Sequence, residues 1–258
     1  MLVNLLGDGH LLLAVFAIIA FAGLVHGTLG LGFPMVATPM LAVFLDVRTA
    51  ILVTLLPTVA VNLVSIWRGE NSAAVVREYA PMLSMTLLGA LVGAWMLAVM
   101  DPSPFRLVLA VLIVLYLWAN VSGRIPRRLL SENKTAAMLG FGILAGLSGG
   151  TTNVMVAILI VYFLSLGVSR DTMVPALNSC FLIGKLSQIL VLSLAGFVSL
   201  ALMFDTAPLA AVAVVALLVG QKVQRQIEVS VYRRMLHVLL IALSIILAVQ
   251  FYVETVQR

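Results

Sequence analysis

The chain has 258 residues, 63% of them hydrophobic and 10% charged, with a formal net charge of +5. A soluble domain carries roughly 25% charged and about 45–50% apolar residues, so a water-soluble fold of this length is excluded. The basic residues sit in the joints between apolar blocks rather than on one face or tail, which makes them topogenic charge and argues against a nucleic-acid partner.

Residues 1–10 lack the basic run of a secretory signal and lead into further apolar sequence, so the chain reads as mature protein throughout. Apolar blocks then follow at about 11–25, 31–45, 51–67, 81–100, 105–121, 136–147, 154–166, 174–200, 207–220 and 236–253. Their lengths fit repeated crossings of a hydrocarbon layer about 30 Å thick. Two pairs stand out, the first with the second and the sixth with the seventh. Each joins short blocks through a Gly- and Thr-rich segment, and about 15 helical residues reach only about 23 Å.

Those two joints resemble each other. Ala22-Gly23-Leu24-Val25-His26-Gly27-Thr28 aligns with Ala145-Gly146-Leu147-Ser148-Gly149-Gly150-Thr151, and Val47-Arg48-Thr49 falls opposite Ser169-Arg170-Asp171. Each joint is followed by three further apolar blocks, so the chain divides into homologous halves, 1–125 and 126–258, within one integral membrane domain.

Lys and Arg collect on the cytoplasmic side of a membrane. If each short pair is a hairpin that enters and leaves by one face, Arg68, Arg77, Arg124, Arg127, Arg128, Lys134, Arg170, Lys222, Arg225, Arg233 and Arg234 share a side against Arg48, Arg106 and Arg258. If each pair passes straight through, the same residues divide evenly. The hairpin arrangement is therefore expected. It gives each half an odd number of crossings, which inverts the second half relative to the first. The expected fold is an all-α polytopic membrane protein of two inverted repeats, each a Gly-rich broken-helix hairpin plus three transmembrane helices. Such inverted repeats characterise secondary transporters, whose sites lie near the midplane at interrupted helices.

Non-helical backbone at membrane depth is tolerated only inside protein or along a wet cavity. The segments 26–32 and 148–153 are the candidates for it, and each precedes a half-helix whose N-terminal amides favour an anion. Thr28, Gly30, Gly32, Thr151, Thr152 and Asn153 are the expected substrate contacts. The competing role for the glycines is close helix packing.

Lys185 lies inside the block at 174–200, where a cation costs about 2.5–3.5 kcal/mol or more, and it is expected to supply positive charge to the substrate. Asn178, seven residues earlier, shares its helical face. Histidine as a residue type titrates near neutrality, so His26 is a candidate for proton coupling, against a plain hydrogen-bonding role. Thr54, Thr58 and Asn62 are spaced by four and form a candidate polar stripe. Arg48 with Asp46, and Arg170 with Asp171, at block ends, are candidate interfacial pairs or gates, and Trp67 and Trp118 are candidate interface anchors. The lone cysteine, Cys180, permits no intramolecular disulfide. No phosphate-binding loop, metal-ligand spacing or paired catalytic carboxylates occur, so no cofactor, metal or enzymatic activity is expected.

At the two Gly-rich joints the sequence resembles the TauE/SafE family of membrane permeases, the sulfite exporter-like proteins. The resemblance is carried by residues 23–41 with Pro39-Met40-Leu41, by Arg48-Thr49-Ala50, and by the counterpart at 146–153. It implies a transporter of small, often sulfur-containing anions such as sulfite, organosulfonates or related organic acids. Ion gradients or the membrane potential would drive it from a multi-pass position in the bacterial inner membrane, with the Gly-rich hairpins lining the pathway. The second joint continues Thr151-Thr152-Asn153-Val154-Met155 without the further glycines and proline usual there, which implies a differently shaped site. Lys185 matches no family motif and rests on the physical argument.

The expectation is an alternating-access secondary transporter, with export the expected direction. Its partners are a small anion, the lipid bilayer, protons or another coupling ion, and in one arrangement a second copy as a homodimer. An anion channel of the same fold is the nearest alternative, and a non-transport membrane assembly partner or enzyme a more distant one.

Overall fold

A computed structural model describes residues 9–69, 72–122, 133–223 and 229–256. Arg124, Arg127, Arg128, Arg225 and Arg258, which entered the charge count, lie outside them. Among the described residues the chain is all-helical. In order the helices are α1 (Gly9–Leu29), α2 (Phe33–Ala42), α3 (Val47–Arg68), α4 (Ser72–Glu78), α5 (Ala80–Val99), α6 (Ser103–Ser122), α7 (Lys134–Thr152), α8 (Val156–Leu166), α9 (Arg170–Leu194), α10 (Leu200–Val223) and α11 (Val229–Val256). Each of the ten apolar blocks is a helix, and the short α4 is additional. Helices α1, α3, α5, α9 and α10 are long and apolar enough to cross a membrane.

The two Gly-rich joints are more helical than expected. Helix α1 has 21 residues, about 30 Å at 1.5 Å per residue, a full crossing length rather than a short half-span. It runs on through His26, Gly27 and Thr28, and α7 likewise runs on to Thr152. The reason lies in packing. A Cβ on Gly27 would collide with the Leu217 carbonyl of α10, and one on Gly146 or Gly150 with the Thr86 or Ala90 carbonyl of α5. The glycines let straight helices close onto neighbours, as small residues do in membranes. The Thr hydroxyls bond back within their own helices, Thr28 to Leu24 O at 2.8 Å, Thr151 to Leu147 O at 2.9 Å and Thr152 to Ser148 O at 2.9 Å. Within these two joints, non-helical backbone is confined to 30–32 and 153–155. Both breaks begin with a left-handed residue, Gly30 at φ 81° and Asn153 at φ 67°. The N–H of each closes the helix end, onto His26 O and Gly149 O. These two residues fall opposite one another when Thr28 is set against Thr151.

The most extensive helix pairs are α5 with α7 and α1 with α10. Both are glycine seams, and both run parallel: Gly142, Gly146 and Gly150 meet Met82, Thr86 and Ala90 in turn, and Gly23 and Gly27 meet Ala213 and Leu217. Next come α5 with α9, α6 with α11, α3 with α10 and α3 with α9.

Contacts at the helix ends define two faces. On the first, Arg48 at the start of α3 reaches Leu97 O, Ala98 O and Met100 O at the end of α5, and Arg106 near the start of α6 reaches Leu45 O. On the second, Ser72 bonds Ile66 O and Gly69 O at the end of α3, and Glu78 pairs with Lys134 at the start of α7 at 2.7 Å. The ends of α1, α3 and α10 and the start of α9 line one cavity on that second face. Helices α1, α3, α6 and α10 therefore run from first face to second, and α5, α7 and α9 run back. Helix α2 returns from the end of α1 to the start of α3, and α8 leads from the end of α7 to the start of α9, so each short helix doubles back on the helix before it.

Helices α3 and α9 occupy the middle. Their inward stripes are polar and buried, Thr54, Thr58, Asn62 and Ser65 on one and Asn178, Lys185 and Gln188 on the other. The exposed residues are large and apolar around the bundle, the surface that a lipid environment requires. Trp67, at the second-face end of α3, is 84% exposed, where an interfacial anchor belongs.

Candidate functional site

Lys185 projects from α9 at the break between α7 and α8 and is only 3% exposed. Its ammonium donates to Asn153 Oδ1 at 2.5 Å and to Gln188 Oε1 at 2.6 Å. Asn153 is the left-handed cap of α7, and its amide nitrogen donates to Thr38 Oγ1 of α2 at 2.9 Å and Thr54 Oγ1 of α3 at 3.2 Å. Gln188 sits one turn beyond Lys185 and gives its amide hydrogens to Gly149 O at 3.0 Å and Gly150 O at 2.8 Å, two end carbonyls of α7. One cation is thus tied to helices of both halves. Among the described residues its partners are neutral, and no carboxylate faces it. A buried charge without a counter-charge is costly, and an anion beside it would offset that cost.

A chamber of about 10 Å³, room for about one water, adjoins this cluster. Pro34 in the first turn of α2 and Met155 before the first turn of α8 both line it, with Thr58, Phe181, Gly184 and Lys185. The starts of the two short helices therefore converge on the chamber beside the cation, a favourable field for negative charge.

The second-face cavity is a vestibule of about 640 Å³, lined by Gly27, Gly30, Ser65, Arg68, Arg170 and Gln221 among others. Arg170 also donates to Thr28 O at 3.3 Å, and Asn178 bonds Gly30 O at 2.9 Å, so α9 clasps the α1–α2 break. Thr54 and Lys185 share Asn153, and Ser65 and Val174 share the vestibule. On antiparallel helices that register sets Asn62 level with Asn178, between vestibule and chamber. Among the described residues, neither amide atom of Asn62 and not the oxygen of Asn178 finds a hydrogen-bond partner.

The sequence candidates separate on this geometry. Lys185 and Asn153 meet at the chamber, Gly30 and Arg170 line the vestibule, and Asn178 bonds Gly30 O from between the two. Gly32, at φ 103°, starts α2 in a conformation glycine adopts readily. Thr28, Thr151 and Thr152 line neither cavity and spend their hydroxyls on helix carbonyls. His26 is clamped: Nδ1 accepts from Phe33 N–H at 3.3 Å, which puts the ring proton on Nε2, 2.9 Å from Ser65 Oγ. A second proton would break that cap of α2. Gln188 and Thr38 were not expected at the site. The spacing of three from Lys185 offered a signal for Gln188, whereas nothing in the sequence pairs Thr38 with Asn153.

Arg48 fixes the first face. It donates to Leu97 O at 2.9 Å and Met100 O at 2.6 Å, and its guanidinium lies 4.7 Å from the centroid of the Phe197 ring. A lysine cannot reproduce that planar fork. Arg48→Lys is expected to lower stability by about 1–3 kcal/mol, read as a reduced melting temperature in detergent. By contrast Lys134→Ala, which breaks a half-exposed pair with Glu78, should cost under about 1 kcal/mol.

These features define a class, a multi-pass helical membrane protein with two helix breaks flanking a buried cation. The sequence matches the family model described as sulfite exporter TauE/SafE over residues 15–247, and the chain belongs to that family. No curated protein and no solved structure matches it. The family is one of membrane transporters for sulfite-type anions, in agreement with the five helices of membrane-crossing length and apolarity.

Proposed function

We propose that this protein is a secondary transporter that carries a small anion of the sulfite or organosulfonate class through a midplane site at Lys185, by alternating access between inverted repeats 1–125 and 126–258. The observation that carries the reading is a buried ammonium that, among the described residues, is held by neutral amides alone, beside the starts of two short helices. The repeat is supported by helix direction: α1, α2, α3, α5 and α6 each run opposite to α7, α8, α9, α10 and α11. The α5–α7 seam then has α10–α1 as its counterpart, and Gly30 has Asn153.

Among the described residues, Arg68, Arg77, Lys134, Arg170 and Lys222 belong to the second face and Arg48 and Arg106 to the first, so the second face is cytoplasmic. The vestibule therefore opens inward, where Arg68 and Arg170 draw anions from the cytoplasm. An inside-negative potential favours outward movement of one negative charge by about 2.3 kcal/mol per 100 mV, which suits export. The route from vestibule to chamber follows the α3 and α9 stripes past Asn62 and Asn178. The chamber holds about one water and is separate from the vestibule, which favours a carrier over an open channel.

The test is uptake and counterflow of labelled sulfite, organosulfonates and small carboxylates in proteoliposomes, with voltage and pH gradients imposed separately. Saturable, exchangeable, voltage-sensitive movement of one of these anions is the expected result. Unsaturable flux would indicate a channel, and no flux with folded protein would sink the transport reading.

A further inference from the structure

We infer that Gln188 and Asn153 act as built-in stand-ins for the transported anion, holding Lys185 when the site is empty and yielding it when the anion arrives. This rests on the reading of Lys185 as the anion's ligand and adds the residues that set affinity and release.

Each amide has a divided role. The oxygen of Gln188 accepts from Lys185 at 2.6 Å, while its nitrogen is committed to Gly149 O and Gly150 O. The oxygen of Asn153 accepts from Lys185 at 2.5 Å, while its nitrogen is committed to Thr38 and Thr54. Neither offers a free N–H to an anion, so neither is placed as a ligand. Both present what an oxyanion presents, an acceptor oxygen at hydrogen-bond distance from the ammonium. The chamber of about 10 Å³ is too small for sulfite beside Lys185 unless an amide oxygen withdraws. Anion binding and amide contact with Lys185 are therefore mutually exclusive for at least one stand-in.

The competition has a mechanical side. Gln188 ties Lys185 to the end of α7, and Asn153 ties it to α2 and α3. Displacing either loosens the tie between α9 and the helix break, so occupancy of the site is linked to freedom of the hairpin. In the empty site the amide oxygens replace the substrate, so the ammonium keeps two hydrogen bonds while the carrier resets.

Gln188→Met keeps side-chain length and removes the competing oxygen. Sulfite binding to full-length protein in nanodiscs, measured by calorimetry, should tighten roughly 10-fold, with KM and kcat for sulfite exchange falling together as release slows. Gln188→Glu should place a permanent carboxylate on Lys185 and abolish sulfite binding. Asn153→Gly keeps the left-handed backbone, removes the other stand-in and should also tighten binding, which preserves the test if Gln188→Met does not fold. Weaker or unchanged sulfite binding in the folded Met and Gly variants would overturn the inference while leaving Lys185 as the ligand. Absence of sulfite binding in the unsubstituted protein would instead remove the site reading itself.

Discussion

Lys185→Gln should leave a folded, membrane-embedded protein that moves its anion at least about 100-fold more slowly. A hydrogen bond to a charged group contributes about 1.5–3 kcal/mol, which alone is roughly 10–100-fold in binding, and the lost charge in a low-dielectric site adds to it. Stability should move far less. Glutamine retains an N–H donor for one of the two amide oxygens now held by Lys185, and the substitution removes a buried cation that has no carboxylate partner among the described residues. Lys185→Met is the harsher variant, because Asn153 Oδ1 and Gln188 Oε1 would both lose their donor at about 1–3 kcal/mol each. Melting temperature and labelled-sulfite uptake, measured on the same preparations, separate the two effects. Uptake near the unsubstituted rate in folded Lys185→Gln protein would remove Lys185 from the pathway.

Much of the fold was legible because the bilayer imposes a simple rule on sequence. Hydrocarbon tolerates only backbone that pairs with itself, so apolar blocks predict helices, and all ten are helices. The positions of Lys and Arg carried the expectation of inverted halves, which stays part of the proposed function. The extent of the breaks was not legible. Glycine in a membrane helix serves both close packing and irregular backbone, and composition does not say which. Gly27, Gly146 and Gly150 took the first role because each meets a neighbouring backbone carbonyl; Gly30 and Gly32 took the second. The same ambiguity affects threonine, whose hydroxyl can reach a ligand or the carbonyl four residues back. Lys185 was legible through its cost. Its link to Asn153, and that of Asn153 to Thr38, was not, because these residues lie far apart in sequence and meet only once α2, α7 and α9 have packed.

Gly27→Val should prevent stable folding, whereas Gly140→Ala should be neutral or stabilising. Gly27 was a candidate for pathway backbone, and its Cβ position separates that role from packing. An added Cβ would strike Leu217 O and crowd Leu217 C at 2.9 Å and Gln221 N at 3.0 Å, all backbone atoms of α10. A flexible side chain could swing aside, but a helix backbone must translate as a body. Separating α1 from α10 would open a seam that also includes Gly23 and Gly220. Overpacking a tight core costs about 1–3 kcal/mol and sometimes more, and the branched valine adds two methyl groups to the collision. Gly140 is also mid-helix, in α7, but nothing lies within 4 Å of its Cβ position. Alanine there gains helix propensity by up to about 1 kcal/mol with no steric cost. The fraction of monodisperse protein after extraction and its melting temperature should rank Gly140→Ala at or above the unsubstituted protein, and Gly27→Val far below it. Equal stability of the two variants would mean that α1 and α10 are not packed through Gly27, and with them would go the parallel seam that fixes the direction of α10.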